Sequence, residues 1–132
     1  HFNSAGRTSF RDPNIGEIIL TCPITLPLQV SGDAAGLTVA YRDPDGVGNG
    51  SRIVVALRRM NKENGGVDTI ASFDSNTNAA TGYSVGGALI GRCFTSAFDQ
   101  STFYYYVQIN ITRSTSQLGV EIAAVAIDPI IC

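Results

Sequence analysis

Apolar and polar residues alternate with a period of two along most of this chain, which is the spacing of half-buried β-strands, and no stretch carries a convincing helical period. The clearest run is 103–113, where Phe103, Tyr105, Val107, Ile109 and Ile111 alternate with Tyr104, Tyr106, Gln108, Asn110 and Thr112. One face of that strand is core and the other a polar, tyrosine-bearing surface. Ile53, Val55 and Leu57 alternate with Val54, Ala56 and Arg58 between Ser51 and Met60, so this strand is apolar on both faces and predicted to be central. Val67 to Phe73 follows the loop Asn61 to Gly66 as its hairpin partner.

Further strands are predicted at Glu17–Cys22, at Leu37–Arg42, weakly at 83–85 and 88–94, and at Val120–Ile127. Pro23 and Pro27 interrupt the ladder after the first of these. Asp43-Pro44-Asp45-Gly46 closes the second in a turn, Pro presetting φ and Gly46 permitting its positive value. The Ser/Thr/Asn/Ala-rich stretch 74–81 reads as a long loop. Seven or eight strands at this spacing predict an all-β sandwich.

Residues 1–13 stand apart from residues 14–132, which read as a single domain. If extended, the amino-terminal segment places Phe2 and Phe10 on one face with the small Ser4, Gly6 and Thr8 between them. It could then lie along another sheet, or else form a disordered tail.

Composition narrows the classes. Charged residues are only 15% of the chain and the formal charge is −2, with eight scattered arginines and a single lysine, Lys62. This gives no basic footprint for nucleic acid or an anionic membrane surface. The longest apolar run, from Leu118 to Ile131, is broken by Glu121, Asp128 and Pro129, so no membrane insertion is expected. The chain begins at His1 without an initiator Met, which points to export after removal of a signal peptide. The three cysteines, Cys22, Cys93 and Cys132, match no zinc pattern and read as one disulfide plus one thiol in an oxidising compartment.

Candidate chemistry is sparse. An amino-terminal histidine suggests a copper brace, but that site needs a second imidazole and His1 is the only histidine. The same scarcity removes Ser and Cys triads, and no Gly-x-Ser-x-Gly elbow is present. Asp43 and Asp45 occupy the first and third positions of a calcium-loop pattern, but the fifth is Val47 and no Glu sits at the twelfth. A hairpin turn accounts for them better, and no metal or cofactor is expected. The eleven acids lie singly in turns and Trp is absent, so neither a glycosidase pair nor a sugar platform is visible. The chain is not expected to be an enzyme. Asn49-Gly50-Ser51 and Asn110-Ile111-Thr112 fit the glycosylation pattern, Asn49 in a turn being the accessible one. Tyr104 and Tyr106, with Tyr83, suggest an amphipathic contact surface, or cross-strand packing within the sheet.

Three segments in this order, Cys22-Pro23-Ile24, Val39 to Gly46 leading into 52–59, and Tyr106-Val107-Gln108-Ile109 running to Ser114, resemble a family of uncharacterised exported bacterial β-sandwich proteins. The likeness spans roughly 18–127 and describes a fold more than a site. Members include protomers of pilus-like extracellular fibrils, in which the amino-terminal strand of one subunit completes the immunoglobulin-like sandwich of another. The resemblance implies an Ig-like sandwich with an extended donor segment, Phe2, Ser4, Gly6, Thr8 and Phe10 facing the receiving protomer. The partner would be the chain itself, in a secreted helical homopolymer, with an attached glycan as a further candidate. Three disulfide connectivities are open. Cys22 with Cys93 is favoured because an inter-strand bridge would lock the sheet before assembly, leaving Cys132 free or bonded between subunits. A monomeric secreted module binding carbohydrate or protein is the alternative.

Overall fold

A computed structural model describes residues 2–4, 7–9, 15–24, 34–48, 50–77, 82–90, 98–115 and 119–130. The strands are β1 (Phe2–Ser4), β2 (Arg7–Ser9), β3 (Gly16–Pro23), β4 (Ala34–Arg42), β5 (Ser51–Asn61), β6 (Val67–Asp74), β7 (Tyr83–Ile90), β8 (Phe103–Arg113) and β9 (Glu121–Ile130). The only helical element among the described residues is a 3-10 turn at Ser75–Thr77. The chain is all-β, as its period-two pattern predicts.

Two antiparallel sheets result. One has the order β3-β8-β5-β6, and the other runs β1-β2-β9-β4-β7. β5 and β8, the strands with the most regular alternation, pair with each other from Ser51↔Arg113 to Asn61↔Phe103 and occupy the middle of their sheet. The hairpin predicted between β5 and β6 forms, closed by Asn61 N–H donating to the Gly66 carbonyl at 2.8 Å. One residue bulges out of β6 opposite the Leu57/Arg58 step, and one out of β9 opposite the Ala40/Tyr41 step.

The inward faces of the two sheets make one core. Ile53, Val55, Leu57 and Ile111 of one sheet and Leu37, Val39, Tyr41 and Ile90 of the other are essentially inaccessible to solvent. Tyr41 and Phe73 meet across the sheets with ring centroids 4.9 Å apart. Burial of such side chains, at about 1.5–3 kcal/mol each, supplies the main favourable term in folding.

The strand pattern is corrected in one place. The expected pair of weak strands at 83–85 and 88–94 is one continuous strand through Ile90, in register with β4 from Arg42↔Tyr83 to Ala35↔Ile90. Gly86 and Gly87, between the two expected strands, are required by close packing. A Cβ on Gly86 would sit 2.3 Å from Phe73 Cε2, and one on Gly87 2.2 Å from the Leu37 carbonyl oxygen. At that side of the molecule β6 and β7 therefore approach each other and seal the sandwich.

Candidate assembly interface

The opposite side, bordered by β3 and β9, is built differently. β4 and β5 face each other across the core, as do β6 and β7, so the sheet orders place β9 over β8 and leave the position over β3 to the next strand of the five-stranded sheet. Among the described residues only β2 stands there. Two of its three residues meet β9, at Thr8↔Ile122 and Ser9↔Glu121, while β9 continues to Ile130. Three long strands thus cover a sheet of four, and β3 and β9 make no approach comparable to that of β6 and β7.

Side-chain burial records the gap. Ile18, at one end of β3, is buried, but along the same inward row Leu20 is half-buried and Cys22 exposed. On β9, Ile122 is buried beside the β2 contact, whereas Val125 and Ile127 pack on the core yet remain half-buried. Beyond Ile122, no described strand pairs with the outer edge of β9, and none pairs with the outer edge of β3. Open edges of this kind present unpaired backbone N–H and C=O groups to any strand that can reach them.

The expected site residues fall out as follows. Phe2 and Ser4 lie in β1 and Thr8 in β2, while Gly6 and Phe10 lie outside the described residues. In place of one extended run, β1 and β2 pair antiparallel as a hairpin with Phe2 opposite Ser9 and Ser4 opposite Arg7. Cys22 is exposed, and its expected partner Cys93 lies outside the described residues, as do Cys132 and Asn49. Asn110 is occupied within its sheet, its amide donating to Glu17 Oε1 and its oxygen accepting from Gln108 Nε2, both at 3.0 Å.

The tyrosine surface divides. Tyr104 and Tyr106 share the outer face of β8, with the Lys62 ammonium 4.7 Å from the Tyr104 ring. Tyr83 belongs to the other sheet, where its hydroxyl hydrogen-bonds Glu121 and the Arg42 guanidinium lies 5.9 Å from its ring. It takes no part in the Tyr104 surface.

The Asp43–Asp45 turn is the most polar buried feature. Gly46, at φ 60°, donates its N–H to the Asp43 carbonyl at 3.0 Å, which is the predicted turn. Asp43 has no exposed surface, and its carboxyl meets Ser51 Oγ and Ser75 Oγ at 2.5 Å each. Asp45 accepts from Gly50 N–H at 2.6 Å and also lies 2.5 Å from Ser51 Oγ. A serine hydroxyl has one proton, so it can donate to only one of the two carboxyls. The second contact needs a carboxylic acid proton. Burial pushes Asp43 up, followed by its contacts with Asp45, while its own serine hydrogen bonds oppose the rise. Burial also acts to raise Asp45, but hydrogen bonds from Ser51, Asp43 and Gly50 outweigh it and hold Asp45 below its ordinary value. Among the described residues no cluster of three or more His, Cys, Asp or Glu side chains is arranged to hold a metal, and the two carboxyls are spent on closing the turn.

Neither the position of the gap nor the Ser75 contact was visible in the sequence, because each depends on which strands become neighbours. No family model, curated protein or solved structure matches the chain.

Proposed function

We propose that this protein is the structural subunit of an extracellular pilus-like fibril, polymerised by insertion of its amino-terminal segment into the sandwich of another copy. The observation that carries the reading is that no long strand among the described residues lies over β3, where Leu20, Cys22, Val125 and Ile127 are incompletely covered. A strand supplied by a second copy would add main-chain hydrogen bonds along the edge and bury those side chains. Each copy would both give and receive a strand, a head-to-tail contact that extends into a filament.

The sandwich in this reading is immunoglobulin-like with two departures: the first and last strands exchange sheets, and the fourth long strand (β6) lies beside the third (β5) rather than the fifth (β7). In the constant-domain order the first strand lies beside the second and the last beside the sixth. Here, among the seven long strands, the first (β3) pairs with the sixth (β8), and the last (β9) with the second (β4). The first and last long strands are thereby both brought to the open side. A Cys22–Cys93 bridge, fastening the edge strand β3, belongs to the same proposal, as does a glycan on Asn49.

One observation favours the second reading, a monomeric secreted binding module. The β1-β2 hairpin already rests on β9 of its own chain. Negative-stain electron microscopy of the intact protein beside a variant lacking residues 1–12 separates the two. Filaments in the intact sample alone support strand donation. Monodisperse particles in both samples, each folded by circular dichroism, replace the fibril reading with the binding module.

A further inference from the structure

Resting on the fibril reading, we infer that the receiving edge is the outer edge of β9, that the donor runs antiparallel to it, and that each copy's own β1-β2 hairpin holds this edge until exchange. Apart from the β1-β2 hairpin, the described strands have four outer edges, on β3, β6, β7 and, beyond Ile122, β9. Those of β6 and β7 lie where the sheets are sealed by Phe73 against Gly86. A strand added beside either would have no opposite strand to pack on. A strand added beside β3 would face no strand of the other sheet except the short β1-β2 hairpin. A strand beside β9 would instead lie over β3 and cover Leu20 and Cys22.

The occupant is indicated by the molecule itself. β2 already pairs with β9 in antiparallel sense, at Thr8↔Ile122 and Ser9↔Glu121, and with β1 on its other side. Straightened, the segment would continue along β9 toward Asp128. The β9 bulge fixes the register. Ile122 is opposite Tyr41 and Ala124 opposite Ala40, so Ala123 is the extra residue. Counting past it, Thr8 remains opposite Ile122, Gly6 comes opposite Val125 and Ser4 opposite Ile127. Residues opposite one another in an antiparallel pair share a face. The even-numbered donor positions would therefore all face the core, opposite the inward Val125 and Ile127 rather than the exposed Ala124 and Ala126. The hairpin offers β9 two paired residues where the straightened strand offers the whole row, so exchange with a neighbour gains backbone hydrogen bonds that the free copy lacks.

Photo-crosslinking tests the edge separately from the filament. Asn3, which faces away from the core in this register, is replaced by benzoylphenylalanine in full-length protein. Filaments are grown from a mixture of this variant and isotope-labelled wild type, irradiated, and mapped by mass spectrometry. The expected products join position 3 to residues 126–128 of a labelled copy and are lost on depolymerisation before irradiation. Intermolecular products confined to β3, to residues 83–90 or to the outer face of β8 would overturn the β9 assignment and leave strand donation standing. Filaments giving only intramolecular products would overturn strand donation itself, and wild-type protein that forms no filaments would overturn the fibril reading and this inference with it.

Discussion

Gly86 is the position at which a single atom separates the two sheets. Its missing Cβ is where the Phe73 ring lies, so Gly86→Ala must displace that ring or part β6 from β7. Overpacking a core in this way costs about 1–3 kcal/mol. Urea unfolding should show a loss in that range, and Phe73→Leu in the Gly86→Ala background should recover part of it. Full additivity of the two losses would show that ring and glycine do not compete for the same space.

Asp43 makes a second prediction, and its sign follows from its surroundings. A carboxyl whose folded pKa is raised above its ordinary 3.8 contributes stability that is complete below that value and is lost as pH rises through the folded value. Asp45, held low, contributes in the opposite sense, present above its ordinary value and lost as pH falls. Asp43→Asn removes the first contribution while keeping an amide that can bond Ser51 and Ser75. The variant should therefore gain stability relative to wild type between pH 3.5 and 7, by about 1.4 kcal/mol for each unit by which Asp43 is raised. A difference between variant and wild type that stays constant across that range would show that Asp43 is not proton-coupled.

Among the elements, β5 and β8 are flanked on both sides and carry the core's most inaccessible residues, whereas β3 has one partner strand and an open edge. Native-state hydrogen exchange should find the slowest amides in β5 and β8 and faster exchange on the outward-directed amides of β3 and of β9 beyond Ile122. Equal protection at those edges in dilute monomer would mean that they are covered. The element scale is also where the sequence was most legible. Strict alternation marked β8 to the residue, and a doubly apolar run marked β5 as central. Alternation reports on neighbours above and below a strand, which every residue feels locally. It failed at Gly86 and Gly87, because glycine marks a turn and a close approach with the same letter. It was silent on the pairing of β1 with β2, where short polar residues give no period to read.

At the scale of the whole molecule, the sheet orders could not be read from the pattern, since pairing depends on partners far along the chain. The candidate site shared that fate. Phe2, Ser4 and Thr8 were visible as an apolar-and-small row, but the gap they would fill exists only because β3 and β9 join different sheets. The same wiring dictates a timetable for folding. Only β5 and β6 are joined as a local hairpin among the long strands; β3 must wait for β8, and β4 for β7 and β9. Glu17 and Asn110, hydrogen-bonded in the finished sheet, are 93 residues apart in the chain. Closing loops of that length before any contact rewards them makes folding slow. As the chain leaves a ribosome or a membrane pore, neither sheet can acquire its full set of long strands until β8 and β9 have emerged, so this protein must reach its destination essentially whole before it can become a sandwich at all.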